Sequence, residues 1–397
     1  MYVMYDGNMK VPAKIWSEKG TIEEEALQQI RNASSLPFAF HHAAMMPDGH
    51  CGYGAPIGGV LATKGVVVPN FVGLDIGCGM CAVKTPWHYT EFNAEFFPKI
   101  REKIQEAIPV GFAHRGSPID DLRMPVPGDY GAAPNNVIMM EYASAKLQLG
   151  TLGGSNHFLE LQKDDSGYLW IMIHSGSRNL GKKVAEYYDK RAKYHNEKWH
   201  SAVPRAWDLA FLPIDTDDAK MYLREMNYCV AFALVNRMAM MEITCGLMED
   251  MIRYKKVDRA GIINIAHNYA SWESHFGENV IVHRKGATLA RQGTIGIIPG
   301  SMGTASYIVE GLGNPQSFMS CSHGAGRKMG RSQAKKNLNL EAEMKILDDQ
   351  GIIHGMKTVE DLDEAAGSYK DVEKVMANQM DLVKVVTKLR PVMVVKG

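Results

Sequence analysis

The segment HFLELQKDDSGYLWIMIH (157–174) contains two strand-like runs on either side of the turn sequence DDSG (164–167). Asp, Ser and Gly are typical turn residues, so the pattern predicts an antiparallel hairpin. A turn centred on this sequence places His157 opposite His174. Directly opposed residues point to one face of a sheet with Cβ atoms about 5 Å apart. The two imidazoles are therefore predicted to be able to hold one metal ion, whereas a bulge would put them on opposite faces.

The elements predicted around this hairpin mix helices and strands without a regular alternation. A capping box of Thr21 with Glu24 predicts the first helix, and the longest helix is predicted to be buried and to break near Gly246. Helices are predicted at about 21–33, 96–108, 183–199, 220–254 and 333–347, and strands within 57–68, 262–266, 294–298 and 391–396. This mixture favours an α+β fold over a doubly wound sheet. Chemical motifs extend from residue 48 to the C-terminus with no linker between them, so we expect one domain over 1–397.

Composition and charge argue against several classes of function. Lys+Arg and Asp+Glu both number 44, so the formal net charge of zero argues against a general polyanion binder but allows a local basic patch. No signal-peptide pattern is present, and the most apolar stretch, Cys229–Val235, is shorter than the roughly 20 residues that span a bilayer. Six cysteines without a secretion signal are typical of reduced thiols. We therefore expect a cytoplasmic protein that does not contact membranes.

A second group of metal-ligand residues lies in VGLDIGCGMC (72–81). A turn at Gly77 can direct Asp75 and Cys78 at one point. Cys78 and Cys81 also have CxxC spacing, but no second CxxC exists, which argues against a structural zinc knuckle. His267 follows a predicted buried strand, where a lone histidine is most often a satisfied polar group.

Three further loops carry residues suited to phosphate or metal. In CSHGAGR (321–327), His323 lies among small residues that let backbone N–H groups approach a phosphate; it can be a ligand, a base, a nucleophile or simply structural. MPDGHCGYG (46–54) is either a metal or phosphate loop or an ordinary turn. PGSMGTAS (299–306) offers hydroxyl and N–H groups to phosphate but fits no P-loop. The basic run from Arg327 to Lys336 is either a solvated helix face or a path for a nucleic-acid backbone.

Taken together and in this order, these blocks resemble the RtcB family of GTP-dependent RNA ligases. The matching blocks are MPDGHCGYG (46–54), DIGCGM (75–80), GTLGGSNHFLE (150–160), IHSGSRNLG (173–181), AHNY (266–269), IPGSMGTASY (298–307), CSHGAGR (321–327), YKD (369–371) and VVKG (394–397). The resemblance covers essentially the whole chain. It implies a single large mixed domain with a central cleft for metal and GTP.

The resemblance also implies an activity. Such a protein joins an RNA 3′-phosphate or 2′,3′-cyclic phosphate to a 5′-hydroxyl end, using GTP and two Mn²⁺ ions, in RNA repair or tRNA splicing. The reaction passes through a guanylylated histidine and an RNA-3′-pp-G intermediate. RNA is the expected partner, a helper protein is left open, and a monomer is expected.

The resemblance assigns roles to individual residues, with His323 as the nucleophile that takes GMP. The metal ligands would be Asp75, Cys78 (bridging), His157, His174 and His267. The guanylate would be held by Asn156, Phe158, Glu160, Asn268, Pro299, Gly300, Ser301, Met302, Ser306, Gly324, Ala325, Gly326, Tyr369 and Lys396. RNA contacts would come from Asp48, His50, Arg178, Arg284, Arg327 and Arg331.

Some features depart from the family pattern or leave alternatives. Gly49, Cys51 and a short, weakly basic segment at 114–134 are departures that bear on the preferred substrate. A Cys/His/Asp ligand set suggests zinc on grounds of softness, whereas the resemblance implies manganese. A metal-dependent phosphohydrolase acting on RNA terminal or cyclic phosphates would use the same metals without needing His323 as nucleophile. A non-catalytic RNA-binding protein would need no metal ligands at all.

Overall fold

Two β-sheets form the framework of the protein, in a computed structural model that describes residues 1–119 and 124–396. The strands in these ranges are β1 Tyr2–Met4, β2 Ala13–Ile15, β3 Ala39–His50, β4 Ile57–Thr63, β5 Val66–Val67, β6 Gly79–His88, β7 Phe158–Asp164, β8 Tyr168–Ser175, β9 Leu212–Pro213, β10 Ile263–Ala266, β11 Asn268–His275, β12 Glu278–Lys285, β13 Ala287–Leu289, β14 Ile295–Ile298, β15 Ser306–Gly311, β16 Ser320–Ser322 and β17 Val383–Lys396. The helices are α1 Glu24–Ser34, α2 Pro69–Val72, α3 Phe96–Ala107, α4 Val137–Gln148, α5 Arg178–Lys198, α6 Asp217–Ile252, α7 Arg331–Asn337, α8 Leu340–Asp349 and α9 Val372–Ala377.

The two large sheets confirm the α+β class. The six-stranded sheet has the order β1-β2-β3-β4-β12-β11, and the seven-stranded sheet has the order β10-β6-β8-β7-β17-β15-β14. Among the paired strands of these two sheets, β2 and β3 run parallel and the other described pairs are antiparallel. Antiparallel sheets need no helical crossover between neighbouring strands, which explains the absence of βα alternation in the sequence. That one domain covers the whole of 1–397 stays a prediction.

The long helix α6 packs at the centre of the protein and contributes to two separate hydrophobic clusters. It runs unbroken over 36 residues, so the predicted break at Gly246 was wrong. Tertiary packing outweighs the roughly 1 kcal/mol helix cost of one glycine. In the described ranges, α6 is the one helix long and apolar enough to cross a membrane. Core helices also meet this criterion. Half of its most apolar window is buried inside the protein.

The hairpin of β7 and β8 forms as predicted, but its register differs by one residue. Phe158, not His157, pairs with His174. The cause is the turn: Gly167 has φ +84° and its N–H donates to the Asp164 carbonyl, which lengthens the connection by a residue. His157 therefore lies just before β7, at the end of a turn. Its position depends on that turn and not on the sheet face.

Other helix and strand ends differ from the sequence predictions for local reasons. Thr21 does not cap α1; its Oγ1 donates to the Glu18 carbonyl instead. The helix predicted at 333–347 is two helices, because the Asn339 side chain accepts from the Ala342 N–H and starts α8 afresh. The last strand begins at Val383, eight residues before its predicted start, and α5 begins five residues before its predicted start.

Candidate active site

The five residues predicted to bind metal converge on one buried point. Cys78 lies at the centre, with its Sγ 3.4 Å from His157 Nε2 and 3.2 Å from His174 Nε2. Asp75 Oδ2 lies 3.3 Å from His157 Nε2 on one side, and His267 Nε2 lies 3.4 Å from His174 Nε2 on the other. The residues come from the α2–β6 loop, the turn before β7, β8 and the β10–β11 junction. We call these five residues the thiol–imidazole cluster.

The chemistry of this cluster fits a divalent metal. Burial raises the pKa of the Cys78 thiol, and burial together with His157 lowers the pKa of His174 to about 3. Burial and His323 hold the pKa of His267 well below its ordinary value. Neutral imidazoles present nitrogen lone pairs, and a bound cation favours the thiolate that a metal needs. Cys78, His157 and His174 place their ligand atoms within 4.8 Å of one another, close enough to hold a metal ion.

The loop that carries Asp75 and Cys78 is fixed by close backbone packing. Gly77 adopts φ +76°, and a Cβ there would lie 2.9 Å from the Val230 backbone of α6. Asn268 closes the loop: its Nδ2 donates to the Asp75 carbonyl and its backbone carbonyl accepts from the Gly77 N–H. Asn268 was expected to contact the guanylate. The structure instead places it as the residue that holds the ligand loop, outside the walls of the cleft described below.

Arg237 is a member of the site that the sequence predictions missed. It lies fully buried in α6, and its Nη1 donates to the carbonyls of Gly77 (3.0 Å) and Ser175 (2.8 Å). These carbonyls directly adjoin Cys78 and His174. A guanidinium therefore holds together the two backbone segments that carry two candidate ligands. The signal in the sequence was a charged residue directly after an apolar helical stretch.

His323 is oriented by Asp48. His323 Nδ1 lies 2.6 Å from Asp48 Oδ2, and the same oxygen accepts from the backbone N–H groups of His323 (3.1 Å) and Gly324 (3.2 Å). Burial alone would raise the pKa of Asp48, but His323 holds it below its ordinary value. A carboxylate this close to Nδ1 favours the tautomer with its proton on Nδ1, which would leave Nε2 as the nucleophile or base. Asp48 was predicted to contact RNA; this was wrong, because its side chain is fully buried.

Two glycines make room for His323: Gly326, which belongs to the CSHGAGR block, and Gly286, which carried no sequence signal. Gly286 has φ +61°, and a Cβ there would lie 3.0 Å from His323 Cε1. Gly326 has φ +72° and packs against the Asp48 backbone. On its other side, the His323 ring is 4.8 Å from the His267 ring, centroid to centroid. His323 therefore lies directly beside the thiol–imidazole cluster.

A cleft opens from His323. Most residues predicted to hold the guanylate line it, together with Arg327 and Arg331, which were predicted to contact RNA. Its walls are His50, Ile57, Asn156, Phe158, Glu160, His174, Pro299, Gly300, Ser301, Met302, His323, Gly324, Ala325, Gly326, Arg327, Arg331, Glu364, Tyr369 and Lys396. Ser306 lies behind the wall, where its Oγ accepts from the Gly300 N–H at 3.1 Å and shapes the loop.

Glu364, which the sequence predictions also missed, gathers the cations of this cleft. Its carboxylate lies 3.2 Å from Arg327 Nη1, 3.4 Å from Arg331 Nε and 3.3 Å from Lys396 Nζ, and it accepts from the Tyr369 hydroxyl. Burial by itself raises the pKa of the Glu364 carboxyl. The charges of Lys396 and Arg327 lower it by more than burial raises it, so the net pKa is about 2. These five residues form the Glu364 cluster. Three cations share one carboxylate, so this part of the cleft has an excess of positive charge.

Glu160 is a second buried carboxylate in the cleft, but its environment shifts its pKa in the opposite direction from that of Glu364. Burial raises the pKa of Glu160 to about 7, against weaker opposing effects of Gln162 and Lys396. Gln162 Nε2 donates to it at 2.5 Å. Glu160 can therefore change protonation near neutral pH, whereas Glu364 stays ionised.

The two remaining arginines predicted to contact RNA differ in position. Arg284 is fully buried and forms a bidentate pair with Glu273 at 2.5 and 3.1 Å. The prediction that Arg284 contacts RNA was therefore wrong. Arg284 also donates to the Phe318 carbonyl and supports the chain that leads into β16 and His323. Arg178, at the first turn of α5, places Nη1 3.0 Å from His157 Nδ1. Its contact with RNA stays a prediction.

The departures noted in the sequence leave this geometry intact. Where a Cβ would stand on Gly49, the side chain of Met45 fills the space at 2.6 Å. Cys51 is half-buried against the hydrophobic cluster that includes Ile15, Ile30 and Phe71, and it does not line the cleft. The segment 114–134 includes residues 120–123, which lie outside the described ranges, as does Gly397 of the last sequence block.

Comparison with known proteins gives the family. The sequence model of tRNA-splicing ligase RtcB matches residues 29–124 and 120–397. The chain is 38% identical to the RNA-splicing ligase RtcB of Escherichia coli (strain K12), over 97% of each protein. It is 33% identical to the tRNA-splicing ligase RtcB of Nanoarchaeum equitans, over 99% of this chain and 96% of the relative. It is 32% identical to the RNA-splicing ligase RtcB of Mycobacterium tuberculosis, over 93% and 100%. The chain therefore belongs to the RtcB family.

Proposed function

We propose that this chain is a GTP-dependent RNA ligase that joins RNA 3′-phosphate or 2′,3′-cyclic phosphate ends to 5′-hydroxyl ends. Membership of a family of ligases supports the RNA ligase activity. One observation supports the finer chemistry: His323, oriented by Asp48, stands between a metal-type cluster and a cation-rich cleft. A nucleophile in that position suits attack on a nucleotide whose phosphates lie toward the metal.

The first step is nucleotidyl transfer to His323. The neutral Nε2 lone pair attacks the α-phosphorus of GTP; a P–N bond forms, the bond to the bridging oxygen breaks, and pyrophosphate leaves. Asp48 keeps the proton on Nδ1 and stabilises the positive charge that the ring gains. The Gly324–Gly326 loop and the Pro299–Met302 loop line the space for the guanylate.

The later steps transfer GMP to RNA. An oxygen of the RNA 3′-phosphate attacks the phosphorus bound to His323, the P–N bond breaks, and RNA-3′-pp-G forms. The 5′-hydroxyl of the second RNA then attacks the RNA 3′-phosphorus, loses its proton, and expels GMP. A 2′,3′-cyclic end first takes up water to become a 3′-phosphate. Each step exchanges one bond at phosphorus, so orientation and charge are what the protein must supply.

We further propose that the thiol–imidazole cluster would hold two Mn²⁺ ions, with Asp75, Cys78, His157, His174 and His267 as their ligands. The residues fit because they offer one carboxylate, one thiol and three imidazoles around a common point. Bound metal would supply charge neutralisation at the phosphates and orientation of the leaving group. The same donors suit zinc on softness grounds, so we expect zinc to inhibit by displacement. A cytoplasmic location, a monomeric state and a role in RNA repair or tRNA splicing complete the proposal.

Labelling with GTP carrying a labelled α-phosphate tests this function directly. The purified protein is incubated with this GTP and Mn²⁺ beside His323→Ala and a control, His200→Asn, which changes an exposed histidine outside the cleft. We expect acid-labile label on the parent and the control but none on His323→Ala, followed by joining of a 3′-phosphate RNA to a 5′-hydroxyl RNA. A folded, Mn²⁺-loaded parent that takes no label would contradict the ligase and favour a phosphohydrolase.

A further inference from the structure

Helix α5 carries a stripe of basic and aromatic side chains that the proposed chemistry does not use. Its members are Lys183, Tyr187, Lys190, Tyr194 and Lys198, and all five are exposed. Their spacings of four, three, four and four residues place them within an arc of about 80° on a helix with 3.6 residues per turn. They therefore form one continuous face, which we call the α5 stripe.

The α5 stripe has an uncompensated positive charge. The acidic residues of the helix are each paired with a cation outside the stripe: Glu186 with Lys182 (3.8 Å), Asp189 with Lys193 (2.7 Å) and Glu197 with Arg205 (2.6 Å). None of the three stripe lysines forms an ion pair with a residue in the described ranges. An ordinary solvated helix face alternates both charges in pairs. This face instead presents three free ammonium groups.

The aromatic members of the α5 stripe are available for stacking. Tyr187 is 43% exposed and Tyr194 is 54% exposed, so both rings present a large apolar surface to solvent. The Arg191 guanidinium lies 6.0 Å from the Tyr194 ring centre and supports that ring from one side. Alternating cations and exposed aromatic rings are the pattern by which proteins bind single strands, with phosphates on the cations and bases on the rings.

The α5 stripe lies on a helix whose first residue contacts the active site. The helix begins at Arg178, whose guanidinium contacts His157 of the thiol–imidazole cluster. The Asp75 side chain beside it is 38% exposed, so the cluster opens to solvent at this edge. Lys183 is about 7.5 Å further along the helix axis than Arg178, and Lys198 about 22 Å beyond Lys183, at 1.5 Å per residue. By helical periodicity Arg178 and the stripe project from different sides of α5, so a strand that leaves the active site at this edge reaches the stripe by turning onto the solvent-exposed face of the helix.

We propose that the α5 stripe binds the single-stranded body of the RNA substrate as it leaves the active site. This inference rests on the proposed ligase function, which supplies an RNA end at His323. Unpaired bases can stack on Tyr187 and Tyr194, whereas a duplex hides its base faces. The stripe therefore selects ends that lie in single-stranded segments, and it compensates for the neutral overall charge of the protein by concentrating cations along one path.

The test is RNA affinity with matched charge variants. The stripe variants are Lys183→Ala/Lys190→Ala/Lys198→Ala and Tyr187→Ala/Tyr194→Ala. The control, Lys10→Ala/Lys99→Ala/Lys103→Ala, removes equal charge from exposed lysines of the N-terminal segment and α3. Fluorescence anisotropy measures Kd for a twenty-nucleotide single-stranded RNA with a 3′-phosphate, across salt concentrations and without GTP. The same titration with a dinucleotide tests binding at the active site alone.

We expect the lysine variant to lower the slope of log K against log salt by about 2, from about 0.7 for each lost phosphate contact. The tyrosine variant should weaken binding of the long RNA about tenfold or more, because each stacked base contributes a comparable factor. The control should bind like the parent, and the dinucleotide should not distinguish the variants. Unchanged Kd and slope in both folded stripe variants would overturn the proposal and leave the stripe as a surface for an acidic protein.

The two proposals fail in different ways. If the parent takes no GMP on His323 but the stripe variants lose RNA affinity, the ligase is wrong and the RNA path stands. If His323 is labelled and the stripe variants bind RNA normally, the ligase stands and the path is wrong. Circular dichroism of each variant confirms that it is folded before either conclusion is drawn.

Discussion

The thiol–imidazole cluster and the Glu364 cluster lie on two sides of His323 and differ in their balance of charge. In the first, Cys78 Sγ lies 3.4 Å from His157 Nε2 and 3.2 Å from His174 Nε2, and His174 Nε2 lies 3.4 Å from His267 Nε2. In the second, three cations surround the carboxylate of Glu364. The first cluster is therefore rich in lone-pair donors, and the second carries a net positive charge. Buried groups of this kind are stable when a partner completes them.

The difference between the clusters shows how one site can accept a metal and a nucleotide together. A divalent cation completes the lone pairs of the first cluster, and the anionic nucleotide completes the cations of the second. His323 stands between them, with its Nδ1 held by Asp48. Each cluster should therefore be separable by mutation: loss of one should abolish binding of its own ligand and leave the other cluster formed.

Removal of Cys78 should have the largest effect because its sulfur lies at the centre of the cluster, next to both His157 and His174. For Cys78→Ala we expect loss of Mn²⁺ binding and a fall in guanylylation of more than about 10³-fold, since metal stabilisation of phosphoryl transfer is several kcal/mol. Isothermal titration with Mn²⁺ and the rate of GTP labelling measure the two effects. Cys81→Ala is the matched control, because Cys81 is buried in an apolar cluster next to the site. Tight Mn²⁺ binding by Cys78→Ala would show that the sulfur is not a ligand.

Removal of the negative charge from Asp48 should impair His323, the residue that lies between the two clusters. Asp48→Asn keeps the shape of the side chain but no longer fixes the proton on His323 Nδ1. We expect the labelling rate to fall by about 10²–10³-fold with Mn²⁺ affinity unchanged, because a loss of tautomer control affects the nucleophile alone. Single-turnover labelling gives the rate, and titration gives the affinity. A parallel loss of Mn²⁺ binding would show instead that the carboxylate supports the metal cluster.

The sequence predicted the members of the first cluster better than those of the second, for a physical reason. Asp75 and Cys78 in a glycine-containing turn, and His157 and His174 on the predicted hairpin, are recognisable as candidate ligands from local sequence, whereas His267 was assigned only by the resemblance. His157 and His174 met as predicted although the hairpin register was wrong, because His157 sits on a turn and is not bound by the sheet alternation. The role of Asp48 depends on a pairing with His323 across 275 positions in the chain, which no local pattern reveals.

Charged residues were the least predictable part of the site. Arg284 and Arg327 look alike in the sequence, yet one is locked to Glu273 in the core and the other lines the cleft beside Glu364. Burial and partner decide the role of an arginine, and both arise from the tertiary fold. Glu364 itself lies in a loop without any recognised motif. Helix positions were predicted well because apolar periodicity is local, whereas the caps of α1 and α8 depended on single side-chain bonds.

Arg237 tests whether the geometry of the first cluster depends on its backbone support. Arg237→Met removes the donor to the Gly77 and Ser175 carbonyls, and we expect Mn²⁺ affinity to fall about 10–100-fold, as for other residues that orient ligands. Arg237→Lys keeps a buried cation with one donor and should recover part of that loss. Titration with Mn²⁺ and urea unfolding of the metal-free protein separate the two effects. A variant with lower stability but unchanged Mn²⁺ affinity would limit Arg237 to a structural role.

The smallest effect is expected at the second cluster, where Glu364→Gln leaves the shape of the cleft intact. The three cations then lose the carboxylate that orients them, so Lys396 and Arg327 become free to move. We expect KM for GTP in the labelling reaction to rise about tenfold, the scale of one lost charge-assisted hydrogen bond, with kcat and Mn²⁺ affinity near the parent values. Glu360→Gln is the control, because this exposed residue pairs with Lys335 outside the cleft. If kcat falls instead and KM is unchanged, Glu364 acts on the reacting groups, and the separation of the two clusters by ligand is wrong. If KM rises as expected, nucleotide binding depends on an ordered set of cations and not on their charge alone, because the variant carries more net positive charge and yet binds the anion less tightly.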